Sequence, residues 1–120
     1  MRSDALIAID IGAGQGTRVG LFDNPASLLG ERYFSLGEYG NGYESFARRL
    51  ESEIDTLLDD HGSRELRSLG IATPGVLQGD GGFKWVQNIP FLEGHNLKDE
   101  LGRRFGVRSG VANDADAGAL

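Results

Sequence analysis

The sequence predicts an α/β domain in which a mixed β-sheet is covered by helices. Three observations support this prediction. Two short apolar runs are joined by a glycine-rich turn, which is typical of a β-hairpin. Extended segments and amphipathic helices then alternate along the chain, and this order is typical of a sheet with helices packed on it. The length of 120 residues suits a single domain, since domains have roughly 100–200 residues.

The first half of the chain contains three predicted strands followed by a helix. The strands are predicted at Ala5–Ile11, Thr17–Asp23 and, more weakly, Leu28–Leu36. Asn41 followed by Glu44 is the pattern of a helix N-cap with an acid three residues later. The apolar residues from Phe46 to Leu58 recur at spacings of three and four, so they predict a helix of about 18 residues with one buried face. Gly62 is expected to end this helix.

In the second half, strands and helices alternate. Strands are predicted at Leu66–Thr73, Phe83–Val86 and Val107–Ala112, with a hairpin tip at Asp80–Gly82. Asn96 is expected to cap a second helix, which Gly106 ends. Asn113–Leu120 is predicted to begin a third helix, and the sequence stops inside it. We therefore expect the chain to be a piece of a longer one, with its third helix truncated.

Composition excludes several classes of function. The net charge of −6, without a block of like charge, argues against a binder of nucleic acid or of an anionic membrane. There is no cysteine, so disulfides, thiolate catalysis and Cys-ligated zinc are excluded within these residues. Neither a signal peptide nor an apolar segment of about 18 residues is found. These features predict a cytoplasmic protein.

The first candidate site is the glycine-rich turn after the first strand. Asp10 ends a buried apolar run, where a carboxylate is costly unless a cation or hydrogen bonds stabilise its charge. Gly12, Gly14 and Gly16 let the backbone approach a phosphate and aim N–H groups at it, and the Thr17 hydroxyl can donate to a phosphate oxygen. The alternative is an ordinary glycine-rich hairpin whose Asp accepts from turn amides.

A second candidate is the pair Asn113–Asp114, which follows the last predicted strand. In α/β sheets ligands bind outside the carboxyl ends of strands, where an ionised Asp114 could accept a proton from a substrate hydroxyl. Asn113 offers a donor and an acceptor, which suits a polyol. The alternative for Asp114 is a simple helix cap.

The remaining polar and aromatic residues give weaker signals. Thr73–Gly75 ends a strand, and with Asn88 it could present polar groups to a ligand, although Pro-Gly is usually only a turn. His61 and His95 are expected to be exposed to solvent. Trp85 and the six Phe are spaced like core residues.

Four stretches together resemble the ROK family of sugar kinases and sugar-responsive repressors. They are Ile7–Asp23, Gly70–Gly75, Gln87–Val107 and Ala112–Leu120. They resemble, in order, the family's first phosphate motif, its Gly-x-x-x-Pro-Gly strand end, its Asn-x-Pro loop with the following helix, and its Asn-Asp-Ala segment. The resemblance covers Ala5 to Leu120 and implies a ribonuclease H-like, actin-like ATPase lobe. The hairpin tip, Gly12–Thr17, is longer than that of the family's usual Asp-x-Gly-Gly-Thr form.

The resemblance implies an ATP-dependent kinase that transfers the γ-phosphoryl group to a hydroxyl of a hexose or N-acetylhexosamine. By the same resemblance, Asp10 would position the Mg²⁺ of ATP and Asp114 would be the general base. The ligands that it implies are Gly12, Gly14 and Thr17 for the phosphates, and Asn113, Asn88 and the Gly75 backbone for the sugar. The expected partners are thus a sugar and a nucleotide, without nucleic acid or membrane, and the resemblance is compatible with a homodimer.

The resemblance also predicts the domain organisation. Residues 1–120 would be the N-terminal lobe, without the C-terminal lobe that carries the adenosine site and a zinc site, so the isolated chain is expected to be inactive. One alternative is a repressor of the same family, but Met1–Asp4 leads directly into the first predicted strand, so we do not expect a helix-turn-helix before it. Another is a non-catalytic actin-like protein that binds nucleotide.

Overall fold

The protein folds into a mixed sheet with helices packed on it. A computed structural model describes residues 4–12, 16–24, 26–35, 42–62, 64–86 and 89–113. The strands are β1 (Asp4–Ile11), β2 (Thr17–Asn24), β3 (Ser27–Phe34), β4 (Glu65–Thr73), β5 (Val76–Leu77), β6 (Phe83–Trp85) and β7 (Arg108–Asn113), and the helices are α1 (Tyr43–Asp60) and α2 (Leu97–Phe105). Within these ranges, neither helix combines the length and apolarity needed to cross a membrane. The predicted α/β class is confirmed.

The main sheet has five strands in the order β3-β2-β1-β4-β7. β1, β2 and β3 pair antiparallel as successive hairpins, whereas β1, β4 and β7 are parallel neighbours. α2 lies between β4 and β7 in the chain, because parallel strands need a crossover that returns the chain to the same end of the sheet. The strands β5 and β6 form a separate hairpin. This order confirms the predicted meander followed by strand–helix alternation.

One face of the sheet, the covered face, is buried beneath the helices. Alternate apolar residues of β1 and β2 point into it, namely Ala5, Ile7, Ile9, Ile11, Val19 and Leu21. α1 adds Phe46, Leu50 and Ile54, all fully buried, which confirms the predicted apolar face of this helix. α2 packs on the same side, since Gly102 lies against Ser109, the β7 neighbour of buried Leu69.

The opposite face of the sheet, the open face, carries no helix among the described residues. Its lateral rows follow from the strand register. The row at the carboxyl ends of the parallel strands is Tyr33–Arg18–Asp10–Ala72–Ala112, and the next row is Glu31–Gly20–Ala8–Gly70–Gly110. Because the second row consists mostly of small residues, a groove of ≈ 400 Å³ lies over it.

The observed helix ends match the predicted ones in part. Asn96 caps α2, its side-chain oxygen accepting from the backbone N–H of Asp99 at 3.2 Å, and Gly106 ends the helix in a left-handed conformation. α1 begins after Gly42 without a side-chain cap, and the predicted cap, Asn41, lies outside the described residues. Asn113 is the last residue of β7 rather than the first of a helix, and residues 114–120 lie outside the described part.

Candidate functional site

The carboxyl ends of β1, β4 and β7 meet at one edge of the sheet, which we call the carboxyl edge. There Asp10 pairs laterally with Ala72 of β4, and Ala72 pairs with Ala112 of β7. Neighbouring strands lie about 4.8 Å apart, so the Cα atoms of Asp10 and Ala112 are separated by about 10 Å. Asn113 directly follows Ala112 in β7 and pairs with Thr73. This edge therefore brings together backbone positions of the first and second predicted sites.

Asp10 is exposed on the open face. It lies at the end of the ≈ 400 Å³ groove and also lines a second pocket of ≈ 130 Å³ beside the glycine-rich turn. Its carboxylate is thus accessible to a ligand, as the predicted role in holding a metal requires. Mg²⁺ typically takes one or two carboxylates and completes its shell with water and substrate phosphates, so a single accessible carboxylate suits a metal that arrives with a nucleotide.

The glycine-rich turn is closed by its own backbone. The N–H of Gly12 donates to the carbonyl of Gly16 at 2.8 Å. Gly16 has φ 119°, and a Cβ at this position would lie 2.5 Å from the Phe34 carbonyl oxygen and 2.7 Å from the Tyr33 hydroxyl. Glycine is therefore required at position 16 on both conformational and steric grounds. Gly14 lies outside the described residues.

Thr17 is placed differently from Asp10. Its side chain is fully buried on the covered face, opposite Ile11 in the register, and its hydroxyl has no hydrogen-bond partner within the described ranges. Successive strand residues point to opposite faces, so Arg18, not Thr17, shares the open face with Asp10. The structure thus does not bring the Thr17 hydroxyl to the side of the sheet on which Asp10 lies.

Gly75 lies just beyond β4, against the small hairpin. Its φ is 95°, and a Cβ there would collide with the Trp85 carbonyl and lie 2.9 Å from the Val86 Cα. A side chain is therefore excluded, and the backbone of Gly75 stays next to β6. Asn88, the other predicted sugar contact of this region, and Asp114, the predicted base, lie outside the described residues.

The expected core role of Trp85 is wrong. Trp85 is 51% exposed, and its cross-strand partner Val76 is 50% exposed. Three of the six phenylalanines are fully buried, namely Phe34, Phe46 and Phe83.

The histidines contact neighbouring groups. His95 is exposed as predicted, but its ring stacks on Tyr43 at 3.7 Å, and His61 is only partly exposed, with Nδ1 2.8 Å from the Leu57 carbonyl oxygen.

The Tyr43 hydroxyl donates to Glu100 at 2.7 Å. Burial, and then the bond to Glu100, raise the pKa of Tyr43 well above its usual value. In the ranges that the structure describes, no three His, Asp or Glu side chains are grouped as metal ligands.

Comparison with known proteins decides the family. The ROK family model matches residues 6–120. This chain belongs to the ROK family. Among its curated relatives, an N-acetyl-D-glucosamine kinase from Citrobacter koseri is 32% identical over 114 residues, and a glucokinase from Thermotoga maritima is 32% identical over 116 residues. The matches cover 92% and 96% of this ROK chain but 35% of each relative, so the chain spans about a third of their length.

Solved structures of the ROK family share the fold. A ROK hexokinase from Thermus thermophilus superposes with a TM-score of 0.77 at 23% identity, covering 94% of this chain and 36% of the hexokinase. A ROK family transcriptional regulator, a homologue of the E. coli MLC protein, superposes with a TM-score of 0.76 at 17% identity, covering 93% of this chain and 28% of the regulator. These likenesses confirm the predicted ribonuclease H-like, actin-like fold of this ROK chain.

Proposed function

We propose that this chain is the N-terminal lobe of an ATP-dependent sugar kinase that transfers the γ-phosphoryl group to a hydroxyl of a hexose or N-acetylhexosamine. The observation that supports the proposal most is the carboxyl edge. The exposed carboxylate of Asp10 stands there two strands away from Ala112, and the chain continues from Ala112 into Asn113 and Asp114. The curated relatives named as sugar kinases support the same reaction class.

In this proposal the two acids have separate roles. Asp10 would hold the Mg²⁺ of ATP, and the metal would neutralise charge on the transferred phosphoryl group. Asp114 would accept the proton of the sugar hydroxyl as it attacks. The separation of about 10 Å between Asp10 and Ala112 leaves room for a metal-bound phosphate on one side and a hydroxyl on the other. Phosphoryl transfer depends mainly on such positioning and on charge stabilisation.

The sugar would be held at the same edge. The Gly75 backbone, Asn88 and Asn113 are its proposed contacts, and Gly12 and Gly14 are the proposed phosphate contacts of the turn. Thr17 is not among the proposed phosphate contacts, because its hydroxyl is buried on the covered face. In this proposal a C-terminal lobe supplies the remaining contacts to the sugar and the nucleotide. Residues 1–120 alone are therefore expected to be inactive.

The experiment uses the full-length protein and a panel of hexoses and N-acetylhexosamines with Mg·ATP. Asp114→Asn is expected to lower kcat about 100-fold or more, the usual contribution of a positioned base, while sugar affinity measured by calorimetry stays within about twofold. Asp10→Ala is expected to weaken Mg·ATP binding but not sugar binding. Asp4→Asn is the matched control, since Asp4 is an exposed carboxylate at the other end of the same strand.

Three outcomes would contradict the proposal. Unchanged turnover in Asp114→Asn would remove the base role. Unchanged Mg·ATP binding in Asp10→Ala would remove the role of Asp10 as a metal ligand. Sugar binding without phosphorylation in the wild type would favour the family's regulators over its kinases.

A further inference from the structure

The small hairpin of β5 and β6 carries an exposed apolar pair. In the described part of the chain, four large apolar residues are at least half exposed, namely Leu28, Tyr33, Val76 and Trp85. Val76 and Trp85 are cross-strand partners in this hairpin, so their Cβ atoms lie roughly 5 Å apart. Exposed apolar patches on soluble proteins mark places where ligands or partners bind. The pair is therefore a candidate binding surface.

The hairpin holds this pair firmly against the core, although the pair itself is exposed. Phe83 and Val86, on either side of Trp85, are each 1% exposed. The Phe83 N–H donates to the His95 carbonyl at 2.9 Å, and the Val86 N–H donates to the Glu93 carboxylate at 3.2 Å. Because the backbone is fixed on both sides, and because an indole has only two side-chain torsions, covering Trp85 with a ligand costs little conformational entropy.

The exposed pair lies next to two of the proposed sugar contacts. Val76 directly follows Gly75 in the chain, and a Cβ on Gly75 would collide with the Trp85 carbonyl, so the backbones of Gly75 and Trp85 are in contact. Asn88 follows Trp85 by three residues, which limits the distance between their Cα atoms to about 11 Å. A sugar that contacts both Gly75 and Asn88 is therefore within reach of the Trp85 indole.

The chemistry of a sugar suits this pair. The C–H groups of a pyranose ring form an apolar face, and an N-acetyl group adds a methyl. A flat indole can cover such a surface while its N–H donates a hydrogen bond to a hydroxyl. Ligand sites combine apolar and aromatic side chains with a few placed polar groups. The proposed contacts at Gly75, Asn88 and Asn113 are polar, and the exposed pair supplies the apolar part.

We propose that Trp85 and Val76 form an apolar platform on which the sugar lies when it contacts Gly75. The platform binds the C–H surface of the sugar, either its ring face or its acetyl methyl, and takes no part in phosphoryl transfer. Covering about 60 Å² of apolar surface corresponds to about a tenfold gain in affinity. This inference rests on the proposed function and adds to it the residues that set the affinity for the sugar.

The test measures sugar binding and initial rates in variants of the full-length protein. Trp85→Ala is expected to raise the Kd and the KM of the sugar about tenfold, while kcat and the KM of Mg·ATP stay within about twofold. Trp85→Phe keeps a smaller ring and should recover part of the loss, and Val76→Thr should weaken sugar binding about two- to threefold. Leu28→Ala is the control and should leave sugar affinity unchanged, since Leu28 is equally exposed at 51% but lies on the edge strand β3.

Two sugars distinguish the two sources of apolar contact. A similar loss in Trp85→Ala for a hexose and for its N-acetyl derivative would assign the ring face to the platform, and a loss confined to the N-acetyl derivative would assign the acetyl methyl. Either result supports the platform. Fluorescence adds a readout that does not depend on turnover, because Trp85 is the one tryptophan in these 120 residues. Sugar is expected to change an emission component that the wild type has and Trp85→Phe lacks.

The outcomes separate this inference from the proposed function. Sugar phosphorylation with an unchanged sugar KM in both Trp85→Ala and Val76→Thr would overturn the platform while the kinase assignment stands. Trp85-dependent sugar binding without phosphorylation by the wild type would support the platform and overturn the kinase assignment. A lower kcat in Trp85→Ala with unchanged sugar affinity would also overturn the platform, since it would mean that the pair contacts the C-terminal lobe of the proposed kinase instead of the sugar.

Discussion

The two faces of the sheet differ in what their side chains do. On the covered face, Ile7, Ile9 and Leu21 are buried in the core cluster to which α1 also contributes, and their contribution is hydrophobic burial. On the open face, the residues between them in sequence are Ala8, Asp10 and Gly20, which are small or charged. The same strands therefore provide stability on one side and accessible polar groups on the other. The effect of a substitution in these strands therefore depends on whether its position lies on the covered face or on the open face.

The largest loss of stability is expected from a substitution on the covered face. Phe46 is fully buried and its ring lies 5.9 Å from that of Phe34 and 5.6 Å from that of Phe91. Phe46→Ala is expected to lower the free energy of unfolding by about 3–5 kcal/mol, because it removes buried area and leaves a cavity. Phe22→Ala, on the open face, should cost clearly less. Chemical denaturation of the full-length protein measures both, and equal losses would contradict the distinction between the faces.

The second-largest loss of stability is expected at Glu53, the one charged residue that is buried within the described ranges. Glu53 in α1 is 3% exposed and forms ion pairs with Arg32 of β3 and, at 2.9 Å, with Arg49. Glu53→Ala is expected to cost about 1–3 kcal/mol, because it removes hydrogen bonds between a buried carboxylate and two charged groups, whereas Arg32 and Arg49 are 43% and 29% exposed and stay partly hydrated.

Glu44→Ala is the control for Glu53. It removes a helix carboxylate whose side chain is 77% exposed and pairs with Arg48 at 3.4 Å, so it should cost less than about 1 kcal/mol. A loss at Glu53 no larger than that at Glu44 would show that burial does not set the cost of these pairs.

A smaller effect is expected in alkaline solution. The raised pKa of Tyr43 means that the folded protein retains a phenolic proton that the unfolded chain releases above about pH 10. The folded state then binds more protons, so stability falls as pH rises beyond that value. Tyr43→Phe should flatten this part of the stability–pH curve. An unchanged alkaline slope in Tyr43→Phe would contradict the assignment.

The smallest effect tests the open face directly. A Cβ at Gly70 would meet no heavy atom within 4 Å. Gly70→Ala is therefore expected to change stability by no more than about 0.5–1 kcal/mol, in the stabilising direction, since it reduces the freedom of the unfolded chain. Gly16→Ala is the contrasting variant and should destabilise. Thermal unfolding measures both, and marked destabilisation by Gly70→Ala would mean that another part of the protein packs against this position.

The sequence predicted those features that depend on residues close together in the chain. The helix face of Phe46, Leu50 and Ile54, the cap at Asn96 and the end at Gly106 follow from residues close together in the chain, because periodicity and capping are local effects. Trp85 was predicted incorrectly, since its burial depends on whether another element packs over the short hairpin. Arg18 and Tyr33 were missed because their proximity to Asp10 follows only from the pairing of three strands.

The five strands of the main sheet, the two described helices and the family were predictable from the sequence, since these depend on local spacing and on motif order. Tertiary structure alone decided which side of the sheet each residue faces. Strand register placed Arg18 beside Asp10 and turned the Thr17 hydroxyl into the covered face. The physical reason is that a strand alternates its side chains every residue, whereas the choice of the buried face is fixed only when α1 and α2 pack against the sheet.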